Sequence, residues 1–164
     1  MRAAFPFPRV ALMTLAVLLC LCTALATAKP AKWNGKHIDW VPWSQALSTA
    51  ERENKPVVML IHKTWCAACK ALERHFSASP EIEALSQHFV MANVEDDDEP
   101  GDEKYAAQGA YSPRVLFLTP NGDVADVINE RGDPSHLHFY GDVNELVQSM
   151  LTALREISGI ADVD

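Results

Sequence analysis

Apolar and polar positions along this chain switch repeatedly between a strand-like and a helix-like period. His37-Ile38-Asp39-Trp40-Val41 alternates as a short strand. Ser44, just after Pro42-Trp43, is placed to cap a helix running to about Asn54, with Ala46, Leu47 and Ala50 on one face. Pro56 to Ile61 is a continuous apolar run rich in β-branched residues, which suits a strand covered on both faces. From Cys66 the spacing becomes helical: Cys69, Leu72 and Phe76 share one face and Lys70, Glu73 and Arg74 take the other. That helix is expected to break at Ser77-Ala78-Ser79. Ser79-Pro80 then reads as an N-cap and first-turn proline opening a second helical piece to about His88.

Phe89 to Val94 predicts the next strand, and Tyr105 to Tyr111 a helical turn. Ser112 to Leu118 is a strong apolar strand with Pro113 at its mouth. Asn121-Gly122 is a pair suited to a tight turn, so Val124 to Ile128 is expected to return antiparallel. Asp142, with Glu145 three residues on, opens a last helix to about Ile157. Val143, Leu146, Val147, Met150, Leu151, Leu154 and Ile157 give that helix one unbroken apolar stripe, enough to cover a sheet.

The N-terminal stretch follows a different logic. Arg2 and Arg9 precede an apolar run from Val10 to about Leu25 that ends in Ala26-Thr27-Ala28, the order of a cleaved secretory signal. An uncleaved anchor is the competing reading, but the small-residue cleavage pattern argues for removal after Ala28. The expected organisation is a signal peptide over 1–28, a short lead over 29–36, one domain over 37–158 and a tail over 159–164.

Charge and cysteines change the picture further. The chain carries a formal charge of −8, and losing Arg2 and Arg9 would make the remainder two units more negative. Such an acidic surface argues against nucleic acid and, once the signal is cleaved, against a membrane as partner. Of four cysteines, Cys20 and Cys22 lie in the signal segment, leaving only Cys66 and Cys69. A secreted domain stapled by disulfides would carry several pairs. One C-x-x-C between a strand and a helix instead places the first sulfur at a helix N-terminus, where N–H groups and the helix dipole favour a thiolate.

Other chemistries are weaker. A zinc site using Cys66, Cys69 and His136 or His138 lacks a second C-x-x-C, and no metal or other cofactor is expected. The acidic run Glu95 to Glu103 lacks the ligand spacing and central glycine of a calcium loop and reads as a solvated surface loop. Arg131-Gly132-Asp133 has the composition of a plain turn. Trp40 and Trp43 read as packing residues.

The order β-α-β, C-x-x-C, α-β-α, X-Pro, β-β-α is that of a thioredoxin fold: an α/β sandwich whose central mixed sheet is flanked by helices. The stretches His62 to Leu72, Phe89 to Asp96, Pro113 to Leu118 and Asn129 to Ser135 closely resemble the small thiol–disulfide oxidoreductases of the endoplasmic reticulum lumen related to the anterior-gradient proteins. This resemblance spans about Trp33 to Leu154. It implies Cys66 as attacking thiol, Cys69 as resolving thiol, and a cis bond before Pro113 that leaves the Ser112 backbone free to pair with an extended client. Trp65 would shield the sulfur pair and touch the client. His62, Lys63 and Arg114 are candidate modulators. His62 reads either as a base for Cys69 or as a packed strand-end residue, and Arg114 either as an anion stabiliser or as a solvated side chain.

The sequence departs from that pattern in three places. Leu60 stands where thioredoxins and protein disulfide isomerases keep a buried carboxylate. Ala67-Ala68 carries neither the proline of thioredoxins nor the histidine of strong oxidases, and Ala67 replaces the family's usual glycine. Ile160 to Asp164 holds no readable K-D-E-L-type signal. The expected activity is thiol–disulfide exchange on exported protein clients, as oxidase or isomerase, with glutathione or another redox partner. The expected location is the endoplasmic reticulum lumen, the exterior, or a periplasm. A client-binding chaperone with little turnover is the alternative.

Overall fold

The computed structural model describes residues 33–35, 37–106 and 109–160; the expected signal segment lies outside them. Four strands, β1 (Trp40–Pro42), β2 (Val57–His62), β3 (Val90–Glu95) and β4 (Arg114–Leu118), form one sheet in the order β1-β3-β2-β4. β1 and β2 both run parallel to β3, whereas β4 pairs antiparallel with β2. This is the mixed sheet of a thioredoxin fold. All six residues of β2 are buried, as a central strand with both faces covered requires.

Strand alternation sorts the core into two layers. Val57, Met59 and Ile61 face Ala46 and Ala50 of helix α1 (Trp43–Glu53), together with Tyr105. Val58 and Leu60 face the other layer, built from α2 (Ala67–Phe76), α3 (Pro80–Ser86) and α4 (Val143–Ser158). Leu72 and Phe76, Ile82 and Leu85, and Leu146, Met150 and Leu154 are their buried contributions. Both cysteines belong to this second layer.

Several boundaries differ from the expected ones. Ser44 does not cap α1: the helix begins at Trp43 directly after Pro42, which has extended backbone and makes no side-chain cap. Pro42 still pairs with Asn93 in the sheet, so strand and helix meet without a linker. The return strand is reduced to one bridge, Leu118 to Val124, with Ala125 N–H donating to Phe117 O at 2.8 Å. Beyond it the chain leaves the sheet; Asn129 N–H donates to Leu137 O at 2.7 Å, and Val127 is buried in the α4 layer. Asp142 caps α4 through Asn144 N–H, while Glu145 accepts from Asn129 Nδ2 instead of completing a capping box. Among the described residues no helix is long and apolar enough to cross a membrane.

Candidate functional site

β2 delivers the chain through Lys63-Thr64-Trp65 into α2, and Cys66 is the N-cap of that helix. Its Sγ accepts the backbone N–H of Cys69 at 3.2 Å, replacing the oxygen that usually fills this role. Negative charge on that sulfur would meet a donor and the positive end of the helix dipole. Cys66 and Cys69 are both unpaired thiols, with Cys66 at 9% exposure and Cys69 at 2%. Burial, reinforced by the hydrogen bond with Cys66, pushes the Cys69 thiol up to about 12.

The Ser112–Pro113 peptide is cis, and the Cys66 thiol lies 3.5 Å from Ser112 O. The two chain segments that the sequence singled out, 65–69 and 112–113, therefore meet. Trp65 is 76% exposed, the one large hydrophobic side chain so exposed among the described residues. Its ring faces solvent, not the core.

Arg114 is corrected. It is neither solvated nor aimed at the sulfurs: only 1% exposed, it donates through Nη1 to Gly109 O and Tyr111 O at 2.9 and 3.0 Å and pairs through Nη2 with Glu99. Alternation along β4 puts it on the face opposite Val115 and Phe117, away from the cysteine layer. Lys63 donates to Asp96 O at 2.5 Å and to Glu99 at 3.0 Å. Asp96, in a left-handed conformation, receives Thr64 N–H and Thr64 Oγ1–H at 2.8 Å each.

The acidic run is thus only half a solvated loop. Asp97 and Asp98 are exposed, but Asp96 and Glu99 bind the segment leading into Cys66, and Glu99 also holds the segment carrying Pro113. Burial works against an ionised Glu99, yet Lys63 and Arg114 outweigh it and hold its carboxyl below the usual range. Nothing in a run of seven acids and neighbours announces which two would bind the segment before Cys66.

His62 closes β2 and is 4% exposed. Its Nε2 lies 2.8 Å from Asn93 Oδ1 and 3.8 Å from Glu95 Oε2, and its ring packs 5.1 Å from that of Trp33. A cavity of about 170 Å³ is walled by His62, Glu95, Cys69 and Glu73 among others. Leu60, two residues back on the same sheet face, is fully buried in apolar surroundings. His136 is half-exposed and pairs with Asp133, whereas His138 is buried and its backbone carbonyl accepts from Val115. Among the described residues no three His, Cys, Asp or Glu side chains converge as metal ligands would.

Comparisons with known proteins bear on this arrangement. The thioredoxin-like family pattern matches residues 39–120. Mouse anterior gradient protein 3 is 32% identical over 126 residues, covering 75% of both chains. Anterior gradient protein 2 of Xenopus tropicalis is 30% identical over 144 residues, covering 87% of this chain and 86% of its own. Among solved structures, a thioredoxin from Thermus thermophilus superposes with a TM-score of 0.53 at 22% identity over 76% of this chain and 94% of its own. The DsbH oxidoreductase superposes with the same score at 18% identity over 80% and 93%.

Proposed function

This chain belongs to the thioredoxin-like family, among relatives of the anterior gradient proteins, and from that premise we propose that it catalyses thiol–disulfide exchange on protein clients. The observation that carries the reading is the asymmetry of the two thiols. Cys66 caps a helix beside Ser112, while Cys69 lies one turn deeper with its proton held tightly. Such a pair divides labour: the outer sulfur meets the client and the inner one resolves the intermediate.

When the dithiol reduces a client, the Cys66 thiolate attacks one client sulfur and displaces the other as a thiolate. Cys69, losing its proton, then attacks Cys66 Sγ; the Cys66–Cys69 disulfide forms and the client leaves as its second thiolate. Two electrons pass to the client. Run in reverse, the same steps oxidise a client dithiol, and a redox partner such as glutathione resets the couple. With Ala67 and Ala68 adding no charge between the sulfurs, a potential between those of strong reductants and strong oxidants is expected, which suits an oxidase or isomerase. Ser112 and Trp65, flanking Cys66, supply backbone and apolar contacts for an extended client segment.

Within the family, the motifs His62 to Leu72 and Pro113 to Leu118 support a likeness to thioredoxin domain-containing protein 12. That likeness supports a site of action in the endoplasmic reticulum lumen or beyond it. The exposed Trp65 also favours a second reading, a client-holding chaperone or adaptor in which turnover is incidental. Refolding of a scrambled disulfide substrate distinguishes them: the enzyme reading expects activity that Cys66→Ser abolishes, and unchanged activity in that variant ends it.

A further inference from the structure

A resolving thiol as tightly protonated as Cys69 needs somewhere to send its proton, and Leu60 cannot accept one. Position 60 and position 62 lie on the same face of β2, the face that packs against the cysteine layer. β3 runs in register beside them, pairing Leu60 with Asn93 and His62 with Glu95. Alternation therefore gathers Asn93, Glu95 and His62 at one end of the same face that carries Leu60, and His62, Glu95 and Cys69 wall one cavity.

We infer that His62, supported by Glu95, takes the proton of the Cys69 thiol through water held in this cavity, as the general base for the resolving step. This rests on the thiol–disulfide reading above and deepens it. The cavity, about 170 Å³ and edged by the polar ends of His62, Glu73 and Glu95, is large enough for bridging water. Asn93 orients the base: with its Oδ1 facing Nε2, that nitrogen carries the hydrogen, and the lone pair is left on Nδ1 to accept a proton. Asn93 Nδ2 is itself buried without a protein partner, as a group that binds water would be. Once His62 is protonated, the carboxylate of Glu95, 3.8 Å from Nε2, stabilises the imidazolium.

The charged surroundings are mixed. Glu95 from β3, Asp96 just after it and Glu73 from α2 bring negative charge to this end of the sheet, and Lys63 and Lys70 bring positive charge. Glu73 is partly engaged by the Trp33 backbone N–H at 3.3 Å. In the step itself, His62 gains the proton that Cys69 loses as the Cys69–Cys66 bond forms and the client–Cys66 bond breaks. The departing client thiolate takes a proton from the imidazolium or from solvent, and His62 is restored.

Stopped-flow mixing of the reduced full chain with excess Ellman's reagent reads this step directly. One thionitrobenzoate leaves as Cys66 attacks, and a second leaves, at a rate independent of reagent concentration, as Cys69 resolves. In the wild type the second rate is expected to rise and then level off between about pH 5 and 8, where an imidazole changes charge. His62→Gln is expected to slow it at least about tenfold near neutrality and to replace the plateau by a continuous rise, as for direct loss of the thiol proton. Glu95→Gln is expected to move the bend to lower pH. An unchanged second phase in His62→Gln overturns the inference while leaving the exchange reading intact, whereas a wild type with no second phase removes the exchange reading itself. Should His62→Gln not fold, the wild-type profile decides: a continuous rise with no bend overturns the proposal.

Discussion

Arg114 and Glu99 form an ion pair that ties the acidic turn after β3 to the strand behind Pro113. Because Glu99 also accepts from Lys63 at 3.0 Å, one carboxylate holds both segments between which Cys66 sits. The positions of Cys66 and Ser112 relative to each other thus depend on a side chain that touches neither.

Glu99→Ala should leave the buried Arg114 guanidinium without its counter-charge. Removing one partner of a buried pair costs ~3–5 kcal/mol; water reaches Glu99, so a loss toward the lower end is expected, read by urea unfolding. Glu99→Gln, which keeps an acceptor, should lose less.

Acid should weaken the same clamp. The Glu99 carboxyl is held below its ordinary value in the fold, so its contribution is complete above the unfolded carboxylate value of about 4.3 and is lost as pH falls through the lower folded value. Stability measured from neutrality into acid should drop less steeply in Glu99→Gln than in wild type. Identical slopes would show that the clamp carries no such linkage.

At the alkaline end the sign reverses. Folding raises the Cys69 thiol from 9.0 to about 12, so the unfolded chain gives up this proton first. The stabilising effect of the neutral thiol is full below pH ~9 and declines as pH rises toward 12. Cys69→Ala should flatten that decline. Alkylation of the folded, reduced protein at mildly alkaline pH should label Cys66 and spare Cys69, which peptide mapping would read.

Trp65→Ala should separate client binding from folding. A side chain 76% exposed contributes little to stability, so unfolding should shift by no more than ~0.5 kcal/mol. If its ring anchors clients, KM for a protein substrate should rise severalfold with kcat for a small disulfide unchanged. A KM for the protein substrate unchanged from wild type would remove Trp65 from the client surface.

Leu60→Asp tests whether this fold accepts the buried carboxylate expected of thioredoxins at this position. Leu60 is fully buried among apolar side chains, so an aspartate there would be held mostly neutral or destabilise the domain by several kcal/mol, about the cost of burying an unpaired polar group. The deficit should be smallest in acid, where the new carboxyl is protonated in both states.

The strands, the helices and the dithiol were legible because each is written in a short stretch of chain. The unbroken apolar run Val57 to Ile61 makes a central strand wherever it is placed, and Cys66 at the start of the Cys69-Leu72-Phe76 face becomes a cap by local geometry alone. The meeting of Pro113 with Cys66 was implied only by the resemblance to the thioredoxin-like oxidoreductases, not by any local pattern. What local pattern did not carry was the use made of side chains whose partners lie far along the chain. Arg114 is buried where Glu99 and the carbonyls of Gly109 and Tyr111 pair with its two Nη groups. Asp96 turns back along the surface because Thr64 offers it two donors. His62 shares a cavity with Cys69 because β3 lies in register beside β2. A charged or titratable side chain has no fixed place until the fold supplies its partners, since the cost of burying it depends on them; apolar periodicity carries its own destination.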